Sequence, residues 1–277
     1  MSFICFGLVY TLENDIDYSN LKDCSSIKSP IDIHYLNPQY VKFPSFPAFA
    51  FNSTFYSPIN NRKFQRKAQV TSDLSTSYND LIMDLTGFGQ AYVLYLNKTV
   101  KYNLKELRLR VYSEHTFEGG KMDLELQIIH EIDDESKSVL PTTKYGDKLG
   151  IAVLFSTSRD KKNKLLEQLI KEDTDQTDET ERYTFALVTS LDLNKFTNFH
   201  EPYFFYVGSG TTPYDCSETV SWVVMKKVEY MSEKQLRQIQ LAMMKEYNYI
   251  VNGNAISVVS SITEVEYIAN EEREEDE

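Results

Sequence analysis

The chain has 277 residues, a length that fits one large domain or two small ones. Hydrophobic residues make up 42% of it and aromatic residues 13%, which is enough for a sizeable core, and the low glycine and proline content excludes fibrous classes. The net charge is -12, which argues against nucleic acid and anionic membrane surfaces as primary partners, because both recruit basic patches. No apolar run approaches the length of a transmembrane segment.

Six segments have the alternating or β-branched patterns that predict strands. In chain order they are 90–96, 102–112, 123–131, 150–155, 204–207 and 219–225. The run at 150–155 is continuously apolar, which is typical of a strand buried on both faces. Strict alternation across 102–112 predicts that one face carries Leu104, Glu106, Arg108 and Arg110, and the other Lys105, Leu107, Leu109 and Val111.

Two short helices are predicted beside these strands. The first is the amphipathic segment 164–171 (KLLEQLIK). The second begins at Ser232, where Gln235 completes a capping-box pattern, and it carries Leu236, Ile239 and Met243 at helical spacing. These elements predict a mostly β chain with short peripheral helices.

Acidic residues are concentrated in two places. The stretch 172–181 (EDTDQTDETE) is predicted to be a surface loop within the domain. The run 271–277 (EEREEDE) repels itself, which favours a solvated, disordered tail over the alternative of a docking segment. The chain is therefore divided into one domain, 1–265, and an acidic C-terminal tail, 266–277.

Four collinear segments resemble a known family. They are SPIDI at 29–33, then 102–110 with SEHT at 113–116, then ELQIIH at 125–130, and finally GSGTTP at 208–213 with SETVSW at 217–222. They are similar to the QSPIDI, YxLxQFHFHWG–SEHT, ELHLVH and GSLTTPP–SEGVTW patterns of the alpha-class carbonic anhydrases. The resemblance spans roughly 6–261, and a collinear set of this length is far more specific than one short motif.

This resemblance implies a single mainly β (α+β) domain with a large central twisted, mostly antiparallel sheet. It also implies a cone-shaped site whose floor lies on the middle strands. The family holds a zinc ion with three imidazoles and leaves one position open for water, whose pKa the metal lowers to about 7. By the same resemblance, Arg108, Arg110 and Gln127 stand at the three imidazole positions.

These three residues are poor metal ligands. Arginine stays protonated and offers no lone pair, and two guanidinium groups repel a divalent cation. Gln127 offers one carbonyl oxygen, which is inadequate for zinc. The sequence therefore predicts that the zinc-hydroxide mechanism is absent and that the chain carries no cofactor and no metal.

Several supporting residues of the family pattern are still present. Glu114 and Thr211 match the pair that orients the zinc-bound hydroxide, and Glu125 matches the carboxylate behind the third histidine. His115 and His130 match histidines that are not ligands. We interpret all of these as vestigial positions that stabilise strands and satisfy buried polar groups, in preference to retained chemistry.

Arg108 and Arg110 have two interpretations. In the first, they fill the metal space and pair with Glu114 or Glu125, because a buried arginine needs such partners. In the second, they bind a small anion such as phosphate, sulfate or a carboxylate, with Thr211 as a further donor. The first is favoured, because most arginines near carboxylates are simply paired.

The cysteines bear on the compartment. Cys24 and Cys216 fall close to the positions of a disulfide in secreted and membrane-bound members of the family, so the resemblance implies that bridge, with two reduced thiols as the alternative. The apolar stretch 2–10 lacks the basic segment of a signal peptide, which argues against the secretory route. The location is left open, with the secretory route or a surface favoured over the cytosol.

These observations predict a catalytically inactive carbonic-anhydrase-related protein that serves as a binding or structural module. Its partner would be a protein or a larger assembly, since the acidic balance disfavours sulfated glycans. The alternatives are a carbonate dehydratase with a rebuilt metal site and another hydrolase with a relocated site. The second alternative lacks support, because the sequence shows no GxSxG motif and no Cys–His pairing.

Overall fold

The computed structural model describes residues 29–33, 49–69, 78–141, 145–178, 182–197, 201–211, 219–247 and 266–268. Within these ranges one α-helix is present, α1 (Glu233–Tyr247), together with 3-10 turns at Ser136–Ser138, Leu166–Leu169 and Leu193–Lys195. The strands are β1 (Asp32–Ile33), β2 (Phe49–Tyr56), β3 (Gln65–Gln69), β4 (Tyr78–Asp84), β5 (Gly89–Tyr95), β6 (Lys98–Arg110), β7 (Thr116–Phe117), β8 (Gly120–Lys121), β9 (Leu124–Ile132), β10 (Lys148–Thr157), β11 (Ile170–Glu172), β12 (Tyr183–Phe185), β13 (Tyr203–Ser209), β14 (Thr219–Met225), β15 (Glu229–Met231) and β16 (Glu266–Ile268).

Eleven of these strands form one mixed sheet. Its main path runs β16-β13-β14-β10-β9-β6-β4-β3, with β15 paired to β10 and with β5 joining β6 to β2. The pairings of β10 with β14 and with β15 are parallel, and the other pairings in this sheet are antiparallel. The predicted fold class, mainly β with a large, mostly antiparallel sheet and short peripheral helices, is confirmed.

All six predicted strands are present, and Thr219–Met225 has the predicted ends. The strands at the start of the chain and the short hairpin strands lack a run of alternation long enough to predict. Glu266–Ile268, at the start of the segment predicted to be a tail, forms β16 and extends the sheet beside β13. Residues 269–277 lie outside the described residues.

The helix predicted at 164–171 is wrong. Leu166–Leu169 forms a single 3-10 turn, and Ile170 then begins β11, which pairs with β12. The side chain of Asn163 accepts hydrogen bonds from the backbone N–H groups of Leu165 and Leu166, so it starts the turn. The hairpin overrides the helical periodicity, because Ile170 pairs with Phe185 in the ladder.

The second predicted helix is confirmed as α1. The backbone N–H of Gln235 donates to the Ser232 hydroxyl at 3.2 Å, and the backbone N–H of Ser232 donates to Gln235 Oε1 at 3.0 Å. This reciprocal pair is the capping box that the sequence predicts. Among the described residues, no helix is long and apolar enough to cross a membrane.

A β-bulge in β6 corrects the predicted alternation. The pairing with β9 shifts between Leu104 and Glu106, so the extra residue Lys105 reverses the faces beyond it. Leu104 is fully buried on the same side as Leu107, and not beside Glu106 as strict alternation predicts. Beyond the bulge the alternation holds, and the predicted set is correct for Glu106, Arg108 and Arg110.

The central strands are covered on both faces. One face, called the core face here, packs into the main apolar cluster through Leu107, Leu109, Leu126, Ile128, Ile151 and Val153. The opposite face, called the site face, carries Glu106, Arg108 and Arg110 on β6 and Glu125 and Gln127 on β9. It continues into a smaller apolar cluster that includes Ile129, Ala152, Leu154, Tyr206 and Trp222. The predicted burial of β10 on both faces is confirmed.

Candidate functional site

The register of β6 against β9 assembles the candidate site. Arg108 lies directly opposite Gln127, and Arg110 lies directly opposite Glu125. Directly opposed residues in an antiparallel pair point to the same face, so all four side chains belong to the site face. The three residues that the family resemblance places at metal positions are therefore neighbours in the structure.

Gln127 lies at the centre of this group and is fully buried. Its Nε2 lies 2.7 Å from Glu114 Oε2, 2.9 Å from Glu125 Oε1 and 3.2 Å from Thr211 Oγ1. Its Oε1 lies 3.3 Å from the same threonine hydroxyl, which can donate to it. The neutral amide thus donates hydrogen bonds to both carboxylates.

Glu125 is the most heavily bonded carboxylate of the site and is fully buried. Its Oε2 accepts from the backbone N–H groups of Glu114 and His115 at 2.7 and 2.9 Å. Its Oε1 accepts from Gln127 Nε2 and lies 2.7 Å from His115 Nδ1. Such charge-assisted bonds are the strong ones, so Glu125 fixes the backbone after β6 as well as two side chains.

The hydrogen bonds continue from His115 to the N-terminal segment. His115 Nε2 lies 2.7 Å from the Tyr206 hydroxyl, which lies 3.0 Å from Ser29 Oγ. The backbone N–H of Ser29 donates to Ser209 Oγ at 3.2 Å. Burial raises the pKa of Tyr206 well above its ordinary value, so the hydroxyl keeps its proton. This chain of bonds fastens residues 29–33 to β13.

Each of the two arginines has a carboxylate beside it. Arg110 Nε lies 3.3 Å from Glu114 Oε1, and both side chains are largely buried. The pairing predicted for Arg110 is therefore present. Arg108 Nε donates to Glu106 Oε1 at 2.7 Å, so its carboxylate is neither Glu114 nor Glu125. The alternation placed Glu106 on the same face as Arg108, but their pairing was not predicted, although residues two positions apart on a strand share a face.

As a donor set, these residues do not fit a zinc ion. Guanidinium groups have no lone pair, and the Gln127 nitrogen is bonded to two carboxylates. Zinc sites are built from imidazole, thiolate and carboxylate ligands. Among the described residues, no group of three or more His, Cys, Asp or Glu side chains is placed to hold a metal ion.

The second buried histidine, His130, lies on the core face, away from this site. Its Nδ1 lies 3.1 Å from the Leu149 carbonyl, which can only accept, so Nδ1 carries the proton and Nε2 accepts from the Tyr56 hydroxyl at 2.9 Å. Burial lowers the pKa of His130 to about 4. As predicted from the resemblance, this histidine supports the fold and is not near the candidate site.

Residues 18–255 match the family model for eukaryotic-type carbonic anhydrases. The chain belongs to this family. It is 31% identical over 189 residues to dioscorin dioA3 from Dioscorea japonica, a match that covers 68% of this chain and 59% of that protein. It is 30% identical over 148 residues to alpha carbonic anhydrase 7 from Arabidopsis thaliana, covering 53% of this chain and 48% of that protein.

Solved structures of carbonic anhydrases share the fold. A halotolerant carbonic anhydrase from Dunaliella salina superposes with a TM-score of 0.62 at 19% identity, over 94% of this chain and 100% of that one. Dioscorin complexed with ascorbate superposes with a TM-score of 0.56 at 21% identity, over 89% of this chain and 87% of that one. At these identities the likeness establishes the carbonic anhydrase fold and nothing finer.

Other predicted residues of this carbonic anhydrase family member fall outside the described residues. They include Cys24 and Cys216, so the disulfide stays a prediction, and so does the tail beyond Ile268. The anion site stays a prediction as well, although its residues are described. Thr211 is described and buried, and its hydroxyl bonds with Gln127. Ser29 and Tyr206 were missed as site residues, and no spacing rule links positions so far apart in the chain.

Proposed function

We propose that this chain is a catalytically inactive member of the carbonic anhydrase family that works as a binding or structural module. The observation that supports the proposal most is the donor set. The family resemblance assigns Arg108, Arg110 and Gln127 to the positions of the three imidazoles, and these residues lie together on the site face. A zinc-bound water needs lone-pair donors around the metal, and this set provides two cations and one hydrogen-bonded amide.

The surroundings support a structural role for the same residues. Glu106 and Glu114 lie against the two arginines, and Glu125 accepts four hydrogen bonds. Within the described residues, Arg110 Nε makes an ion pair with Glu114 but no hydrogen bond. Glu125 and Gln127, in contrast, are hydrogen-bonded on both sides, and such a buried network rigidifies its scaffold. A rigid sheet with its loops held in place can present a binding surface to a protein partner without catalysing a reaction.

The direct test is to measure bound metal and activity on one sample. Elemental analysis of the purified full chain should show no stoichiometric zinc, and CO2 hydration should equal the uncatalysed rate. One zinc per chain with hydration activity would overturn the proposal and favour a rebuilt metal site. Turnover of an activated ester without zinc would favour the other hydrolase.

A reconstruction tests the assignment of the three positions themselves. The variant Arg108→His/Arg110→His/Gln127→His replaces the two cations and the amide with imidazoles on neighbouring strands. We expect it to take up one zinc per chain, whereas the matched control Arg108→Asn/Arg110→Asn removes the cations without adding imidazoles and should take up none. A folded triple-histidine variant without zinc would mean that the positions are wrongly assigned.

The predicted anion site, formed by Arg108, Arg110 and Thr211, is tested separately. The carboxylates already beside the arginines disfavour it, because an incoming anion would have to displace Glu106 or Glu114. We therefore expect no thermal shift with phosphate, or with ascorbate, which is present in a solved dioscorin structure. A saturable shift that Arg110→Gln removes would support the anion site instead.

A further inference from the structure

A lysine-rich groove opens where β14 leads into β15, at one end of the large sheet. Its volume is about 930 Å³, and its walls come from 160–165, 195–196 and 227–230. Five lysines line it, against the carboxylates of Asp160 and Glu229, so the lining has a net charge of +3 in a chain whose net charge is -12. The lysines are Lys161, Lys162, Lys164, Lys195 and Lys227.

All five lysines are exposed, and most of their charge is available to a partner. Lys227 pairs with Glu229 at 3.3 Å and with Glu201 at 3.8 Å. Within the described ranges, no carboxylate lies within 4 Å of Lys162, Lys164 or Lys195. A concave surface that collects positive charge attracts an anionic segment more strongly than the surrounding acidic surface does.

The end of β16 brings such a segment to the groove. Tyr203 on β13 pairs with Ile268 on one side and with Met225 on the other. Ile268 therefore lies at the end of the sheet where β14 runs on to Lys227. Two strand spacings of about 4.8 Å separate Ile268 from Met225, or about 10 Å in all.

The chain after Ile268 has the length and the charge to fill the groove. Residues 269–277 can extend about 30 Å, roughly three times the separation between Ile268 and Met225. The acidic run begins at Glu271, only three residues past the end of β16. Its seven residues contain six carboxylates and one arginine, so its net charge is -5.

We propose that the acidic segment 271–277 docks in the lysine-rich groove of its own chain. The segment is tethered at the same end of the sheet, so its effective concentration at the groove exceeds that of any free partner. Docking covers the groove and neutralises its charge. The proposal concerns a surface away from Gln127 and is independent of whether the chain is catalytic.

Limited proteolysis of the full chain tests this docking. A Glu-specific endoprotease cleaves within 271–277 only when the segment is released, and intact mass reports each cut. We expect the variant Lys162→Gln/Lys164→Gln/Lys195→Gln to be cut about three- to tenfold faster than wild type, since each exposed ion pair contributes little alone. The control Lys63→Gln/Lys98→Gln/Lys121→Gln makes the same change in net charge at exposed sites elsewhere and should be cut at the wild-type rate.

Three outcomes would overturn the proposal. Equal cleavage rates in both triple variants, or a wild-type rate equal to that of a free peptide of residues 266–277, would mean that the groove does not hold the segment. Protection that weakens tenfold on tenfold dilution would mean that a second copy supplies the segment. Protection that is independent of concentration supports docking within one chain.

Discussion

The two faces of β9 are both buried, the site face of β6 is partly buried, and the two faces are built on different principles. On the core face, Leu107, Leu109, Leu126 and Ile128 pack against many neighbours, and none of these contacts depends on direction. On the site face, Glu125 and Gln127 each bond to partners at fixed distances and angles. Packing can relax when one side chain changes, whereas a hydrogen-bonded network that loses one member leaves donors without acceptors.

The largest expected change in the free energy of unfolding comes from substituting Glu125 on the site face. Glu125→Gln keeps the size of the side chain but removes its charge and turns an acceptor into a donor that faces donors. We expect a loss of about 3–5 kcal/mol in the free energy of unfolding, the cost of breaking a buried charged network. Urea unfolding of both proteins at pH 7 measures it.

The matched control for Glu125→Gln lies on the same strand. Glu131 is exposed, and its ion pair with Lys105 at 2.9 Å is open to solvent. Glu131→Gln should therefore change stability by less than about 1 kcal/mol. Equal losses in the two variants would mean that the site-face network does not carry the stability assigned to it.

The second-largest expected effect is the dependence of the free energy of unfolding on pH, through His130 on the core face. The folded pKa of His130 is about 4, below its ordinary value of 6.5, so the unfolded state binds more protons between these values. Stability from this group is complete above pH 6.5 and is lost as pH falls towards 4. We expect His130 to account for about 2 kcal/mol of the loss between pH 7 and pH 5.

Comparison with His130→Gln isolates this contribution from that of the carboxylates. The variant should be less stable at pH 7, because the Tyr56 hydroxyl loses its ring nitrogen partner. Its stability should also fall less steeply with acid than that of wild type. Parallel pH profiles for the two proteins would contradict a depressed His130 pKa.

A smaller effect is expected at Tyr206, where the site-face network reaches the N-terminal segment. Tyr206→Phe removes the hydroxyl that lies between His115 and Ser29 and leaves the ring in its apolar cluster. The loss should be about 1–3 kcal/mol, because a buried ring nitrogen is left unsatisfied. Hydrogen exchange should locate the change in residues 29–33, and Tyr230→Phe, at an exposed ring, should leave both readouts unchanged.

The sequence predicted the core face better than the site face, for a physical reason. Periodicity predicts which side chains share a face, and it placed six strands of the sheet and put Glu106, Arg108 and Arg110 on one face. Periodicity cannot reveal a β-bulge, so the prediction assigned Leu104 and Lys105 to the wrong faces. It also favoured a helix at 164–171, where the partner strand β12 lies too far along the chain for a local pattern to detect.

Only the site residues that match the family pattern could be predicted from the sequence. That resemblance named Arg108, Arg110 and Gln127, and the register brings them together. The link from His115 through Tyr206 to Ser29 joins segments separated by up to 177 residues. Such a link depends on the assembled sheet, so no pattern within one segment reveals it. Glu106 was within reach of the sequence, because its two-residue spacing from Arg108 is the strand period.

The smallest expected effect returns to the core face at Leu126. Leu126→Met conserves volume and apolarity, and the flexible methionine can adapt to its neighbours, so the loss should be below about 1.5 kcal/mol. Leu126 is adjacent in sequence to Glu125 and is equally buried. Both substitutions keep the approximate size of a buried side chain, and only Glu125→Gln removes a charge and a hydrogen-bond acceptor. Urea unfolding measures the loss in the free energy of unfolding for both variants. Similar losses would mean that burial alone determines the stability of β9, and that hydrogen bonds on the site face contribute no more than packing on the core face.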